Sequence, residues 1–120
     1  MNVKAKFTEV DYNPHMSDFY GNHYRVTLTY QKRRMSTIYS MGTAYTEPPT
    51  VAEVLECLFL DASHYDDCDG FEDWCSDYGY DTDSIKAERI YKAIARQAFA
   101  LHRLLGDDYD AIRKEVIGEN

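Results

Sequence analysis

The hydrophobic pattern changes its period once along the chain, and that single change constrains the fold most. Up to about residue 41 apolar side chains recur at every second position, and from residue 50 onward they recur at three and four. Val3, Ala5 and Phe7 alternate with Lys4, Lys6 and Thr8, which predicts a strand over 3–10. Tyr24, Val26, Leu28 and Tyr30 alternate with Arg25, Thr27 and Thr29. With the returning segment MSTIYSMG they predict an antiparallel hairpin over 23–41, its basic polar turn at Gln31–Arg34. Asn13-Pro14 and Gly21-Asn22 mark the connection before it. Strands first and helices after is the order of an α+β fold. The expected architecture is a small antiparallel sheet of about three N-terminal strands against about four C-terminal helices. At 120 residues the chain is read as a single domain, β-rich over 1–46 and helical over 47–120.

The helices follow from local signals. Glu47-Pro48-Pro49 ends the sheet, since proline cannot donate to a ladder. Thr50-Val51-Ala52-Glu53 is a capping box: hydroxyl and carboxylate each satisfy an orphan N–H of the first turn. The helix behind it is expected over 51–62, with Val51, Val54, Leu55, Leu58 and Ala62 on one face. Cys57, Phe59 and Leu60 extend its apolar surface around the rest. Residues 63–70 (SHYDDCDG) read as an acidic loop. Phe71, Trp74, Cys75 and Tyr78 give a short helix over 71–78, with Gly79 as its C-cap. Asp83 or Ser84 caps a helix over 84–105, with an apolar stripe of Ala87, Ile90, Tyr91, Ile94, Ala98, Leu101 and Leu105. A last helix, 108–117, buries Tyr109, Ile112 and Val116.

The net charge of −8 conceals a sharp segregation. Residues 47–83 hold twelve acids and no Lys or Arg, whereas the flanking segments are both net positive. Like charges at this density repel one another and weaken a fold, which solubility alone does not require. The bland account is a solvated acidic face. The sharper one is a surface aimed at a cationic partner, and Asp66, Asp67, Asp69, Glu72, Asp73 and Asp77 are the residues expected to make that contact. An alternative basic site consists of Arg25, Lys32, Arg33 and Arg34, which could touch phosphate from the hairpin. Given the acidic balance, direct nucleic-acid binding is the lesser expectation. Eleven tyrosines supply interface material, since Tyr joins a large contact area to a polar tip.

Patterns for catalysis fall short. Cys57, Cys68 and Cys75 form no CxxC pair, and their odd number suits reduced thiols. His64, Cys68 and Cys75 could begin a zinc site, but the spacing is irregular and a fourth ligand is missing. Aligning Gly70 with the glycine of a calcium loop puts Tyr65 and Ser76 at the first and last ligand positions, where carboxylates are needed. Trp74 beside Glu72 and Asp73 fits a helix anchored by its tryptophan better than a sugar cleft. The expectation is therefore no enzyme, no cofactor and no resident metal. No apolar run approaches the roughly 18 residues of a membrane span, and the N-terminus lacks a signal core. A cytoplasmic protein without a membrane partner is expected.

The stretch TEPPTVAEVLECLFLDAS, followed by FEDWCSDYGYDTDSIKAERIYKAI, resembles a family of small, largely uncharacterised phage and prophage proteins. The likeness covers roughly residues 23–105. It implies a phage-encoded protein acting in the cytoplasm of a bacterial host, and it carries no catalytic residues. Small acidic phage proteins include inhibitors of host defence that mimic DNA. The functional expectation is an anti-CRISPR or anti-restriction inhibitor, docking on a host protein or complex through its basic nucleic-acid-binding surface. The alternatives are a nucleic-acid-associated phage module using the basic hairpin, or an assembly protein that forms a homodimer.

Overall fold

The alternating segments pair as the period-two pattern requires. The computed structural model describes residues 3–10, 22–41 and 49–118. Strands β1 (Val3–Val10), β2 (Asn22–Tyr30) and β3 (Arg33–Met41) form an antiparallel sheet in the order β1-β2-β3. The strand connection expected at Asn13-Pro14 and Gly21, the strand end at Gly42, and Glu47-Pro48 lie outside the described residues. The hairpin turn is tighter than the sequence suggests: only Gln31 and Lys32 are outside the strands, and Gln31 takes the left-handed backbone, with φ 55°. Arg33 and Arg34 therefore belong to β3.

Register assigns the two faces. Val3, Tyr30 and Arg33 stand in one row, and Phe7, Val26 and Thr37 in another, on the face turned to the helices. The opposite face carries four rows: Lys4–Thr29–Arg34, Lys6–Thr27–Ser36, Thr8–Arg25–Ile38 and Val10–His23–Ser40. A one-residue slip would exchange the two sets, so the fully buried Val26 and Leu28 fix the register.

Helices α1 (Val51–Asp67), α2 (Phe71–Tyr78), α3 (Ile85–Leu105) and α4 (Tyr109–Ile117) follow, with a 3-10 turn at Gly106–Asp108. The capping box is made in full: Glu53 N donates to Thr50 Oγ1 at 3.1 Å, and Thr50 N to Glu53 Oε1 at 2.9 Å. Ser84 is the residue that caps α3, its hydroxyl accepting from Ala87 N. Gly79 ends α2 at φ 74°, and the backbone N–H groups of Gly79 and Tyr80 close back onto Ser76 and Cys75. No helix among the described residues is long and apolar enough to cross a membrane.

Two clusters hold the layers together. The larger joins the inner sheet face to α1, α3 and α4 through Leu28, Leu58, Phe59, Leu101 and Leu105. The smaller lies under α2 and consists of Trp74, Cys75, Ala87, Ile90 and Ile94, with Tyr80 and Tyr91 against it. Polar ties fix the helices on the sheet. Tyr39 Oη donates to Asp61 at 2.5 Å, Tyr30 Oη to Asp108 at 2.6 Å, and Gln97 Nε2 to the Ile38 carbonyl at 3.1 Å.

Three sequence expectations are corrected here. Helix α1 does not stop at residue 62; it runs five residues further, so 63–67 are helical rather than loop. Val51 and Leu60 are exposed, leaving α1 amphipathic instead of apolar all round. Gln97 is buried on α3, where only apolar positions were expected.

Candidate functional site

The extra turn and a half of α1 brings the acidic third of the chain to a corner. Helix α1 ends at Cys68, its cap, and three residues later α2 begins. The smaller cluster sets the position of α2. Trp74 is 1 % exposed, and its ring stacks on Tyr80 at 5.4 Å and meets Tyr91 edge-on at 5.4 Å. Burying such a ring is the main force that keeps an acid-laden two-turn helix docked. The remaining face of α2 is left to carboxylates.

Four of the six expected contact residues gather around this corner. The Asp69 backbone N–H donates to Asp73 Oδ2 at 3.0 Å. Asp77, one turn beyond Asp73, accepts from the Cys68 thiol at 3.7 Å. Burial, together with the charges of Asp73, Asp77 and Asp67, pushes the Cys68 thiol up to about 11. The thiol thus registers three carboxylates at once, which places Asp67, Asp73 and Asp77 in one neighbourhood. All four aspartates, 67, 69, 73 and 77, are exposed, as is Glu72 in the first turn of α2.

Asp66 departs from the expected set. Its Oδ2 lies 2.7 Å from His102 Nε2 and accepts from Tyr109 Oη at 3.3 Å. Because α1 continues as a helix, Asp66 faces α3 and α4 rather than α2. It lines a polar groove of about 490 Å³ with Ser63, Asp67, His102, Asp110 and Arg113. Burial, reinforced by Asp66, pushes the Tyr109 phenol upward, so it stays a hydrogen-bond donor.

The basic alternative splits in two. Arg33 and Arg34 line a groove of about 360 Å³ with Arg103 of α3, where Gly106 turns the chain against the Arg33 guanidinium. Lys32 is exposed at the turn. Arg25 lies on the outer sheet face, beside Lys6. Sequence reasoning missed Arg103, Lys4 and Lys6 as partners of these groups. The signals were there: Arg103 lies off the buried stripe of α3, and both lysines alternate with the apolar residues of β1.

The zinc reading also changes membership. Cys75 is 1 % exposed inside the Trp74 cluster, against whose edge Cys68 packs. Asp77 takes its place: one donor atom each from His64, Cys68 and Asp77 lie within 4.8 Å of one another. The expectation of no resident metal rested on irregular spacing and a missing fourth ligand in the set His64, Cys68 and Cys75. Extended to Asp67, the helix end puts His64 and Cys68 one turn apart on one side.

No family model matches the chain, and neither a curated protein nor a solved structure matches it.

Proposed function

We propose that the chain is a non-enzymatic binding protein whose acidic α1–α2 corner occupies a cationic nucleic-acid-binding surface on another protein. In the sharper form of this reading it is a phage-encoded inhibitor of a bacterial defence system, of the anti-CRISPR or anti-restriction kind. The observation that carries the binding role is the convergence of Asp67, Asp69, Asp73 and Asp77 on one corner. A folded array of this sign speeds encounter with a basic channel and makes the complex salt-sensitive. The motif resemblance supplies the phage context.

The test is capture of a partner from bacterial lysate, followed by salt titration and competition with duplex DNA. A variant with Asp67→Asn, Asp69→Asn, Glu72→Gln and Asp73→Asn leaves His64, Cys68 and Asp77 in place. It should bind the captured partner roughly 10–100-fold more weakly and with a flatter salt dependence. A folded variant with unchanged affinity overturns the mechanism, and so does capture that duplex DNA fails to displace.

A second reading has its own observation. The outer sheet face shows Lys4, Lys6, Arg25 and Arg34 interleaved with Ser and Thr, and none of the residues in its four rows is acidic. Cations and hydroxyls are the groups that hold phosphate. Retarded migration of a short duplex at low salt, abolished by Lys6→Gln with Arg25→Gln, would favour it.

A further inference from the structure

We propose that His64, Cys68 and Asp77 form a binding site for a borderline divalent transition metal, zinc above all, which staples the end of α1 to α2. The three donors come from two elements. His64 and Cys68 are one helical turn apart at the end of α1, and Asp77 reaches them from the last turn of α2. His64 Nε2 lies 3.2 Å from Asp77 Oδ2, and Cys68 Sγ lies 3.7 Å from the same oxygen. With metal–ligand bonds of about 2.0 Å for N and O and about 2.3 Å for S, a tetrahedral ion imposes edges of about 3.3 and 3.5 Å. Two edges of the polyhedron are therefore nearly in place. The third, from a His64 ring nitrogen to Sγ, is within 4.8 Å against about 3.5 Å when closed, which a side-chain rotation can cover.

A second feature points to a ligand. His64 Nε2 is buried and makes no hydrogen bond, although Asp77 Oδ2 lies 3.2 Å from it. A buried ring nitrogen without a hydrogen bond carries a desolvation cost that a metal bond would remove. The donor set selects the ion: nitrogen and sulfur suit zinc or cobalt, whereas calcium and magnesium want oxygen. Nearby Asp67 and Asp73 add a favourable field for a dication. Partial exposure of His64 and Asp77 leaves an entry path and room for water as the fourth ligand. On binding, Cys68 gives its thiol proton to solvent and becomes the thiolate ligand.

The site stands apart from the docking reading, since it is tested on the protein alone, while partner capture is run in chelator. Titration of the reduced chain with cobalt(II) should give a thiolate-to-cobalt charge-transfer band and intense red ligand-field bands, saturating at one ion per chain. Zinc should displace cobalt, and millimolar magnesium should not. Cys68→Ser should abolish the charge-transfer band and weaken zinc binding at least tenfold, while Cys57→Ser leaves both unchanged. His64→Ala and Asp77→Asn give the same comparison if Cys68→Ser fails to fold. Absence of the band in the unaltered chain overturns the proposal. So does zinc binding of equal strength in a folded His64→Ala variant, which would mark the ion as held by surface carboxylates alone.

Discussion

The outer sheet face and the α1–α2 corner carry opposite charge, and they are built in opposite ways. On the sheet, each cation stands in a row fixed by the ladder, such as Lys4–Thr29–Arg34, and the strand backbones determine where the charges lie. At the corner, Asp73 and Asp77 ride on a helix of eight residues whose position depends on one tryptophan. A short helix has too little cooperativity to persist on its own. Charge on a sheet is thus a decoration of a scaffold that exists without it, whereas charge on α2 shares the fate of its anchor.

Breaking that anchor should show the contrast most strongly. Trp74→Ala is expected to cost about 3–5 kcal/mol in the stability of the α2 region. Amide exchange should accelerate in α2 and its flanks while β2 and β3 stay protected. Equal loss of protection in both would mean that the two regions open as one unit. Thr50→Ala, which removes the capping box at the far end of α1, should cost about 1 kcal/mol in denaturant unfolding without loosening α2.

Asp61 joins the two regions, because it lies on α1 and accepts from Tyr39 of the sheet. Burial raises its carboxyl above the ordinary 3.8, outweighing the Tyr39 hydrogen bond and the nearby His64 charge, both of which lower it. Its contribution to stability is therefore full below pH 3.8 and declines as pH rises through the raised folded value. Asp61→Asn should gain on the parent as pH rises above 3.8, in unfolding measured across that rise. The smallest effect belongs to the sheet: Lys6→Gln with Arg25→Gln should change stability by no more than about 0.5 kcal/mol in the same assay.

The sheet was legible because alternation and register are the same information. Val26 and Leu28 could face only one way, and Arg25 only the other. The ends of α2 and α3 were legible because Gly79 and Ser84 act through their own backbone or hydroxyl. The end of α1 was not. Asp66 and Asp67 sit in its last turn, where the helix dipole disfavours carboxylates, so local reasoning stopped the helix early. The compensating groups, His102 and Tyr109, are distant in sequence. That one boundary also decided the site. With 63–67 read as loop, His64 and Cys68 had no fixed relation, and Asp66 was grouped with the acids of α2, from which it turns away. Gln97 was missed for the same reason, its partner being a carbonyl of β3.

The hydroxyls of Tyr30 and Tyr39 reach the helices from opposite ends of the sheet's inner face. Tyr39 is paired with Tyr24, six residues along β2 from Tyr30, a separation of about 20 Å. Hydrocarbon contact is indifferent to small rotations, so a layer held by it alone is free to yaw. Two polar pins that far apart define a bearing, and they hold the helical layer square on the strands without filling any additional volume.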